Sequence, residues 1–297
     1  MRHTPQPIST ILFAGAIGDA VGGVYEGASP GSAYSATAAT RLAISDDTQL
    51  TLATCDAIVA QGHVDPESIA KTFVAWFRAG RLSGLGSATL QALTGLDAGG
   101  HWALVGARGE RAAGNGAAMR IAPLAFVLDV ERDRDRRVLR DVCRITHHDD
   151  EAYLGALALC HVLRETWKGA PLDRSSTLEI AIRSLPDSRT RDRMTVVRED
   201  PTLTSHEYAD RFGAHGYVVD SVPFAILAAI ESESMSNLLT TVVGVGGDVD
   251  TNAAMAMQLR TAAHGLDAST HAIGERIEYA TDIRRAFSEF ETHVLKT

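Results

Sequence analysis

Two short acidic clusters carry the most legible chemistry in this chain. Ser45-Asp46-Asp47-Thr48 sets two carboxylates beside two hydroxyls, and Asp248-Val249-Asp250-Thr251-Asn252 follows the glycine-rich run Gly244-Val245-Gly246-Gly247. Adjacent carboxylates repel unless a cation or the positive end of a helix offsets their charge. Taken alone, each cluster reads first as a helix N-cap, because Ser and Asp satisfy the free N–H groups of a first turn. Taken together they say more. Folded onto one another they would supply four carboxylates and two or three hydroxyls. An oxygen-only donor set suits a hard cation such as Mg²⁺. It is also large enough for two ions roughly 3.5–4 Å apart that clamp one oxygen between them.

Three further segments hold candidate groups. Gly18-Asp19-Ala20-Val21-Gly22-Gly23-Val24-Tyr25-Glu26 places carboxylates at the end of an apolar, glycine-rich helix, as a solvated end or as buried functional acids. Gly114-Asn115-Gly116 leads into another predicted helix. It is either a plain turn or a set of backbone N–H groups suited to a phosphate, with Arg108 and Arg111 upstream as charged donors. Thr146-His147-His148-Asp149-Asp150-Glu151 has the residue density of a transition-metal site. It lacks HExxH spacing, however, and Asp149-Asp150 makes an ordinary helix start, so Zn²⁺ carries little weight. Asp248-x-Asp250-x-Asn252 also resembles the nucleophile motif of haloacid-dehalogenase-type phosphatases. That motif follows the first strand of a parallel sheet, whereas here 47 residues remain after Asp250 and they read as helical.

The elements that must position these groups read as helices. Residues 9–25 are apolar with small residues, as in a buried helix, and 27–43 form a small, polar loop. Residues 46–61 repeat apolar positions at helical spacing and stop at Gly62. Asp65-Pro66 starts a helix that runs to about Ala79. The region 83–114 holds one short helix and much glycine. Helical pattern resumes at 117–129, 131–145 and 150–167. Residues 172–212 suggest short exposed helices. Core helices follow at 218–231, 236–243 and 250–263, and two more close the chain. The run Thr240 to Gly247 reads either as a short strand or as a helix ending in a loop. No linker, repeat or low-complexity tract interrupts the pattern, so a single all-α domain over 1–297 is expected.

Bulk properties narrow the function. With 45% hydrophobic and 22% charged residues the composition is globular. A net charge of −9 repels long nucleic acid overall, while a local site for a small phosphate-bearing ligand remains compatible with it. Three scattered cysteines without a CxxC point to a reducing compartment, and a cytoplasmic protein is expected. The first residues lack a signal-peptide pattern, and no apolar stretch is read as reaching 18 residues, so no membrane span is expected.

The ordered set GDAxGxxxE, SDDTQ, GNGxxMRIxP, THxxxEA and GGDxDTNAA resembles the ADP-ribosylglycohydrolase family from about residue 9 to 265. That family includes dinitrogenase-reductase-activating glycohydrolase and the ADP-ribosylarginine and ADP-ribosylserine hydrolases. The resemblance implies an all-α fold around a cleft with two Mg²⁺ ions, or Mn²⁺ in their place. It places metal ligands at Ser45, Asp46, Asp47, Asp248, Asp250 and Thr251, and catalytic roles at Glu26, which in relatives gates the site or acts as general base, and at metal-bound Asp47 as the alternative base. It assigns a diphosphate loop to Ala112, Ala113, Gly114 and Asn115, and an adenosine-side histidine to His147. The implied reaction cleaves the C1″ bond between ADP-ribose and an acceptor on a protein or other conjugate, through a transition state of oxocarbenium character. Alternatives are a non-catalytic ADP-ribose-binding or crystallin-like relative, and a Mg²⁺-dependent phosphohydrolase acting on the diphosphate. Ser45 stands where relatives usually carry Thr, and Val249 where they carry Thr between the aspartates. Ser83-Gly84-Leu85-Gly86-Ser87 lacks the acid that arginine-specific relatives place nearby, which weighs against an arginine acceptor; Asp97, further on, is the nearest substitute.

Overall fold

A computed structural model describes residues 4–109 and 112–296. Helices α1 (Ile8–Gly22), α2 (Asp46–Gln61), α3 (Pro66–Arg78), α4 (Ser87–Asp97), α5 (Trp102–Val105) and α6 (Ala122–Val127) form the first part. The middle holds α7 (Asp133–Arg144), α8 (Asp150–Trp167), α9 (Arg174–Arg183), α10 (Arg189–Glu199) and α11 (Ser205–Phe212). The chain closes with α12 (Val218–Glu231), α13 (Met235–Val245), α14 (Val249–His264), α15 (Ala268–Gly274) and α16 (Ala280–Val294). The described residues contain isolated β-bridges but no strand. The fold is therefore all-α, as the spacing of apolar residues predicts.

The centre of the fold is the contact between α1 and α14. Gly15, Gly18 and Gly22 recur at helical spacing on one face of α1. A Cβ at Gly18 would sit 2.5 Å from the Ala253 carbonyl oxygen, and one at Gly22 would sit 2.4 Å from the Asp250 Cα. Glycine is thus what lets the two backbones touch. Around this pair, α8 and α12 complete a core that includes Ile11, Leu12, Phe13, Leu157, Phe224 and Met257, all nearly inaccessible to solvent.

Some elements differ from expectation. Ile8–Tyr25 is an 18-residue stretch apolar and long enough to cross a membrane by length and composition, which corrects the reading that no such run exists. It is 72% buried within the protein, so its apolarity is that of a core helix. The segment expected to be helical from 117 instead begins with a 3-10 turn at Asn115–Ala117. Helix proper starts at Ala122, where Pro123 at the second position favours a helix start. The Thr240–Gly247 run resolves as the end of α13, stopped by Gly246 at φ 75°. In the 83–114 region a second helix, the single turn α5, joins α4; the His101 Nδ1 caps it by accepting from Ala103 N at 3.2 Å.

Candidate metal centre

The start of α2 is built by a residue from another helix. Asp19, buried in the last turn of α1, accepts from Ser45 N at 3.1 and 3.0 Å, Thr48 N at 3.1 Å and Thr48 Oγ1 at 2.5 Å. Ser45 adds its own cap: its Oγ accepts from Asp47 N at 3.3 Å and donates to Asp47 Oδ2 at 3.2 Å. The N-cap reading therefore holds for Ser45. It does not account for Asp46 and Asp47, whose side chains are buried without capping the helix.

The start of α14 depends on two left-handed glycines. Gly246 and Gly247 have φ 75° and 82°, and a Cβ at Gly247 would lie 2.5 Å from the Ala214 carbonyl oxygen. That same carbonyl accepts from Asp248 N at 3.0 Å and from Asn252 Nδ2 at 2.7 Å, fixing the helix start against the segment before α12. Here the N-cap reading fails: the Asp248 side chain makes no capping bond. Its Oδ2 instead accepts from Asn115 Nδ2 at 2.7 Å, and Asn115 Nδ2 also reaches Ser221 Oγ at 3.2 Å.

The two clusters meet. Thr251 Oγ1 donates to Asp47 Oδ2 at 3.2 Å across 204 residues of sequence. Carboxylate oxygens of Glu26, Asp248 and Asp250 lie within 4.8 Å of one another, a spacing that could hold a metal ion. Glu26 is exposed, Asp248 and Asp250 are half-buried, and Asp46, Asp47 and Thr251 are buried. All six candidate ligands and Glu26 thus surround one region between α1, α2 and α14.

Its electrostatics favour a cation. Burial, then the neighbouring carboxylates Asp19 and Asp250, pushes Asp46 up to about 7. Burial, then its hydrogen bond and charge interaction with Asp250, pushes Asp248 up to about 8. Asp19 is raised to about 6, chiefly by burial. Asp47 is raised well above the carboxylate range by burial, with Asp19, Asp250, Asp46 and Asp248 all adding in the same direction. Glu26 is also raised, by burial and then by Asp250. Packing so many carboxylates together is unfavourable unless protons or a cation neutralise them. Asp47 Oδ1 is buried with no hydrogen-bond partner among the described residues, as a ligand oxygen awaiting a cation would be. The donor set, all oxygen, fits Mg²⁺ or Mn²⁺.

The remaining candidates fall in distinct places. Ala112, Ala113 and Asn115 are buried and Gly114 is half-buried. Their segment pairs with the one before α12, through Asn115 N to Gly216 O at 2.9 Å and Val218 N to Ala113 O at 3.0 Å. His147 lies beneath the loop, 3% exposed, against Gly114 and Gly116. Arg108 is exposed, while Arg111 lies outside the described residues. The His-Asp-Glu segment is no convergent ligand set. Asp149 caps α8, accepting from Glu151 N at 2.8 Å, and Glu151 accepts from Thr190 Oγ1 at 2.7 Å. Asp97 is engaged by Arg78, through its carboxylate and through its carbonyl at 3.2 Å. A cavity of about 750 Å³ opens beside Glu26 and Gly247, with His206, Asp210 and His215 on its wall. A cavity of about 830 Å³ on the flank between α2, α3 and α16 includes none of the candidate ligands. Sequence reasoning left Asp19 unassigned and missed the Asn115–Asp248 bond; the Gly-Asp and Gly-Asn-Gly motifs were the available signals.

Comparison with known proteins settles the family. The family model for ADP-ribosylglycohydrolase matches residues 8–294. The chain belongs to the ADP-ribosylglycohydrolase family. Among curated members, ADP-ribosylarginine hydrolase Tri1 of Pseudomonas putida (strain GB-1) is 29% identical over 251 residues, covering 82% of this chain and 65% of that protein. The ADP-ribosyl-[dinitrogen reductase] glycohydrolase of Rhodospirillum rubrum is 25% identical over 231 residues, covering 75% of this chain and 70% of its own length. The chain thus spans about two thirds of the length of these ADP-ribosylglycohydrolases. A solved structure titled as an ADP-ribosylglycohydrolase-related protein complex superposes with a TM-score of 0.76 over 96% of this chain and 97% of that one, at 22% identity, which establishes the shared fold.

Proposed function

We propose that the chain is a divalent-metal-dependent ADP-ribosyl glycohydrolase that cleaves the C1″ bond of an ADP-ribosylated protein or other ADP-ribose conjugate and releases ADP-ribose. The observation that carries this reading is the Thr251–Asp47 bond, which joins two oxygen-donor clusters far apart in sequence into one buried acidic centre. In this reading Ser45, Asp46, Asp47, Asp248, Asp250 and Thr251 would hold two Mg²⁺ ions, with Mn²⁺ as substitute. Once bound, the ions would supply Lewis acidity and orient ribose hydroxyls.

The chain's own groups divide the remaining tasks. Glu26 sits at the exposed edge of the centre, beside the cavity of about 750 Å³, with its pKa raised. A carboxylate with a raised pKa is a stronger base, suited to take a proton from an attacking water. Asp47 is the other candidate base, but its Oδ2 is tied to Ser45 and Thr251, which suits a holding role better. Asn115 holds Asp248 in place. The loop Ala112–Asn115, with His147 beneath it, would line the diphosphate side.

The relatives' names include an arginine-linked substrate and a modified dinitrogen reductase. Against arginine here stand the acid-free Ser83–Ser87 stretch and the engagement of Asp97 by Arg78. The test is a panel of arginine-, serine- and nucleotide-linked ADP-ribose with Mg²⁺ and with chelator, followed by product analysis. Intact ADP-ribose released only with metal supports the proposal. AMP plus ribose phosphate would move the reaction to the diphosphate, and no turnover of any substrate would leave a binding protein.

A further inference from the structure

Beneath the Gly114–Gly116 turn a buried polar chain runs from Arg120 through Thr146 to His147, and the reaction scheme gives its first two members no role. Arg120 is 1% exposed. It donates to the Gly116 carbonyl, to Val142 O at 3.3 Å and to Thr146 Oγ1 at 2.8 Å. Thr146 Oγ1 in turn lies 2.8 Å from His147 Nδ1. A guanidinium has donors only, so the Thr146 oxygen accepts from Arg120. Thr146 is fully buried, and among the described residues His147 Nδ1 is the one acceptor within reach of its hydroxyl proton. A buried hydroxyl proton left without an acceptor is unfavourable. The proton therefore points to Nδ1, and the ring's own proton resides on Nε2.

Nε2 has no hydrogen-bond partner among the described residues, although the ring is 3% exposed. It faces the loop. A Cβ at Gly114 would lie 3.1 Å from Nε2, and one at Gly116 would lie 3.2 Å from Nε2 and 2.7 Å from Cε1. Glycine at both positions leaves room for the ring. Asn115, between them, is the residue that bonds Asp248. The imidazole is kept neutral by burial and by Arg120, which lower its pKa to about 3, so the donor persists across the working pH range.

We propose that Arg120 and Thr146 are positioning residues that lock His147 as the Nε2–H tautomer, so that its ring presents one hydrogen-bond donor, between Gly114 and Gly116, to an oxygen of the bound ADP-ribosyl group. The ligand half of this inference rests on the glycohydrolase reading above; the tautomer lock does not.

The test separates the two. Imidazole nitrogen NMR on the full chain, with the His147 signals assigned by their loss in His147→Gln, reads the tautomer without ligand. Calorimetry with ADP-ribose reads the contact. Wild type should show a protonated Nε2 and an unprotonated, accepting Nδ1. Thr146→Val should lose that preference and bind ADP-ribose about tenfold more weakly, a change of about 1.4 kcal/mol. Thr146→Ser should restore both, which loss of packing alone would not explain. A protonated Nδ1 in wild type overturns the lock. So does a Thr146→Val protein that keeps the wild-type tautomer. An unchanged affinity in Thr146→Val overturns the ligand contact. A locked tautomer in a wild type that fails to bind ADP-ribose overturns the glycohydrolase reading instead.

Discussion

The Asn115 side-chain amide donates to Asp248 Oδ2 at 2.7 Å, tying the Gly114–Gly116 turn to the start of α14 across 133 residues of sequence. The bond gives that carboxylate oxygen a fixed direction. Partners that orient metal ligands commonly matter nearly as much as the ligands themselves. Asn115→Ala should therefore lower metal affinity and turnover by about 10–100-fold and reduce stability by about 1–2 kcal/mol. Ser221→Ala, which removes only the second partner of that amide, should leave turnover within a few-fold of wild type. Steady-state kinetics across a metal titration check this. Wild-type kinetics in Asn115→Ala would show that the amide does not support the centre.

The close approach of α1 to α14 makes a second prediction. A Cβ at Gly22 would collide with backbone, 2.4 Å from the Asp250 Cα, so a flexible side chain cannot yield instead. Gly22→Ala should push the helices apart, cost at least about 1–3 kcal/mol and displace Asp250. The neighbouring Gly23→Ala meets nothing within 4 Å and has helical φ −58°, so it should be silent. Denaturant unfolding with parallel activity measurements distinguishes them. Equal stability of the two variants would contradict the packing argument.

The sequence made some of this visible and hid the rest for physical reasons. Ser45 to Thr48 and Asp248 to Thr251 are contiguous, so local spacing alone exposes them, and α2 has its predicted bounds because its cap and its terminating Gly62 are both local signals. Asp19 is different. Its role depends on where α1 lies against α2, since its three donors belong to Ser45 and Thr48. The capping reading of Asp248 failed for the same reason: Asn115, far away in sequence, takes the oxygen that a local cap would use. The 117–129 segment misled in a third way. Its apolar residues are core, but Arg120 turns inward there to bond the Gly116 and Val142 carbonyls, and the helix waits until Ala122.

The acidic centre predicts stabilisation by metal. At a Mg²⁺ concentration 100 times its dissociation constant, binding to the folded state should add about 2.7 kcal/mol, raising Tm by several degrees. Asp47→Asn removes charge from the most crowded position, so the metal-free variant should be at least as stable as metal-free wild type. It should also lose the Mg²⁺-dependent rise and all but about 1% or less of activity, on the scale of the several kcal/mol that a metal contributes to charge stabilisation. Thermal melts with Mg²⁺ and with chelator, on both proteins, give the comparison. An equal Mg²⁺ shift in Asp47→Asn would remove that residue from the ligand set.

His147 makes the pH prediction, and its sign follows from its burial. The unfolded imidazole titrates near about 6.5, whereas burial and the Arg120 cation hold the folded ring at about 3. Between those values the unfolded chain binds a proton that the folded chain refuses. Stability from this group is therefore complete above about pH 6.5 and is lost as pH falls toward 3, by about 1.4 kcal/mol per unit. Between pH 7.5 and 5.5 the wild type should lose about 1.4 kcal/mol through this residue. His147→Asn has no such titration, so its stability should fall by that much less over the same interval, whatever its absolute stability. Urea unfolding of both proteins at the two pH values isolates the difference, because the chain's other histidines and its carboxylates are common to both. Parallel pH dependences would mean that the ring accepts a proton in the folded state, and with it that the Arg120–Thr146 chain leaves Nδ1 open.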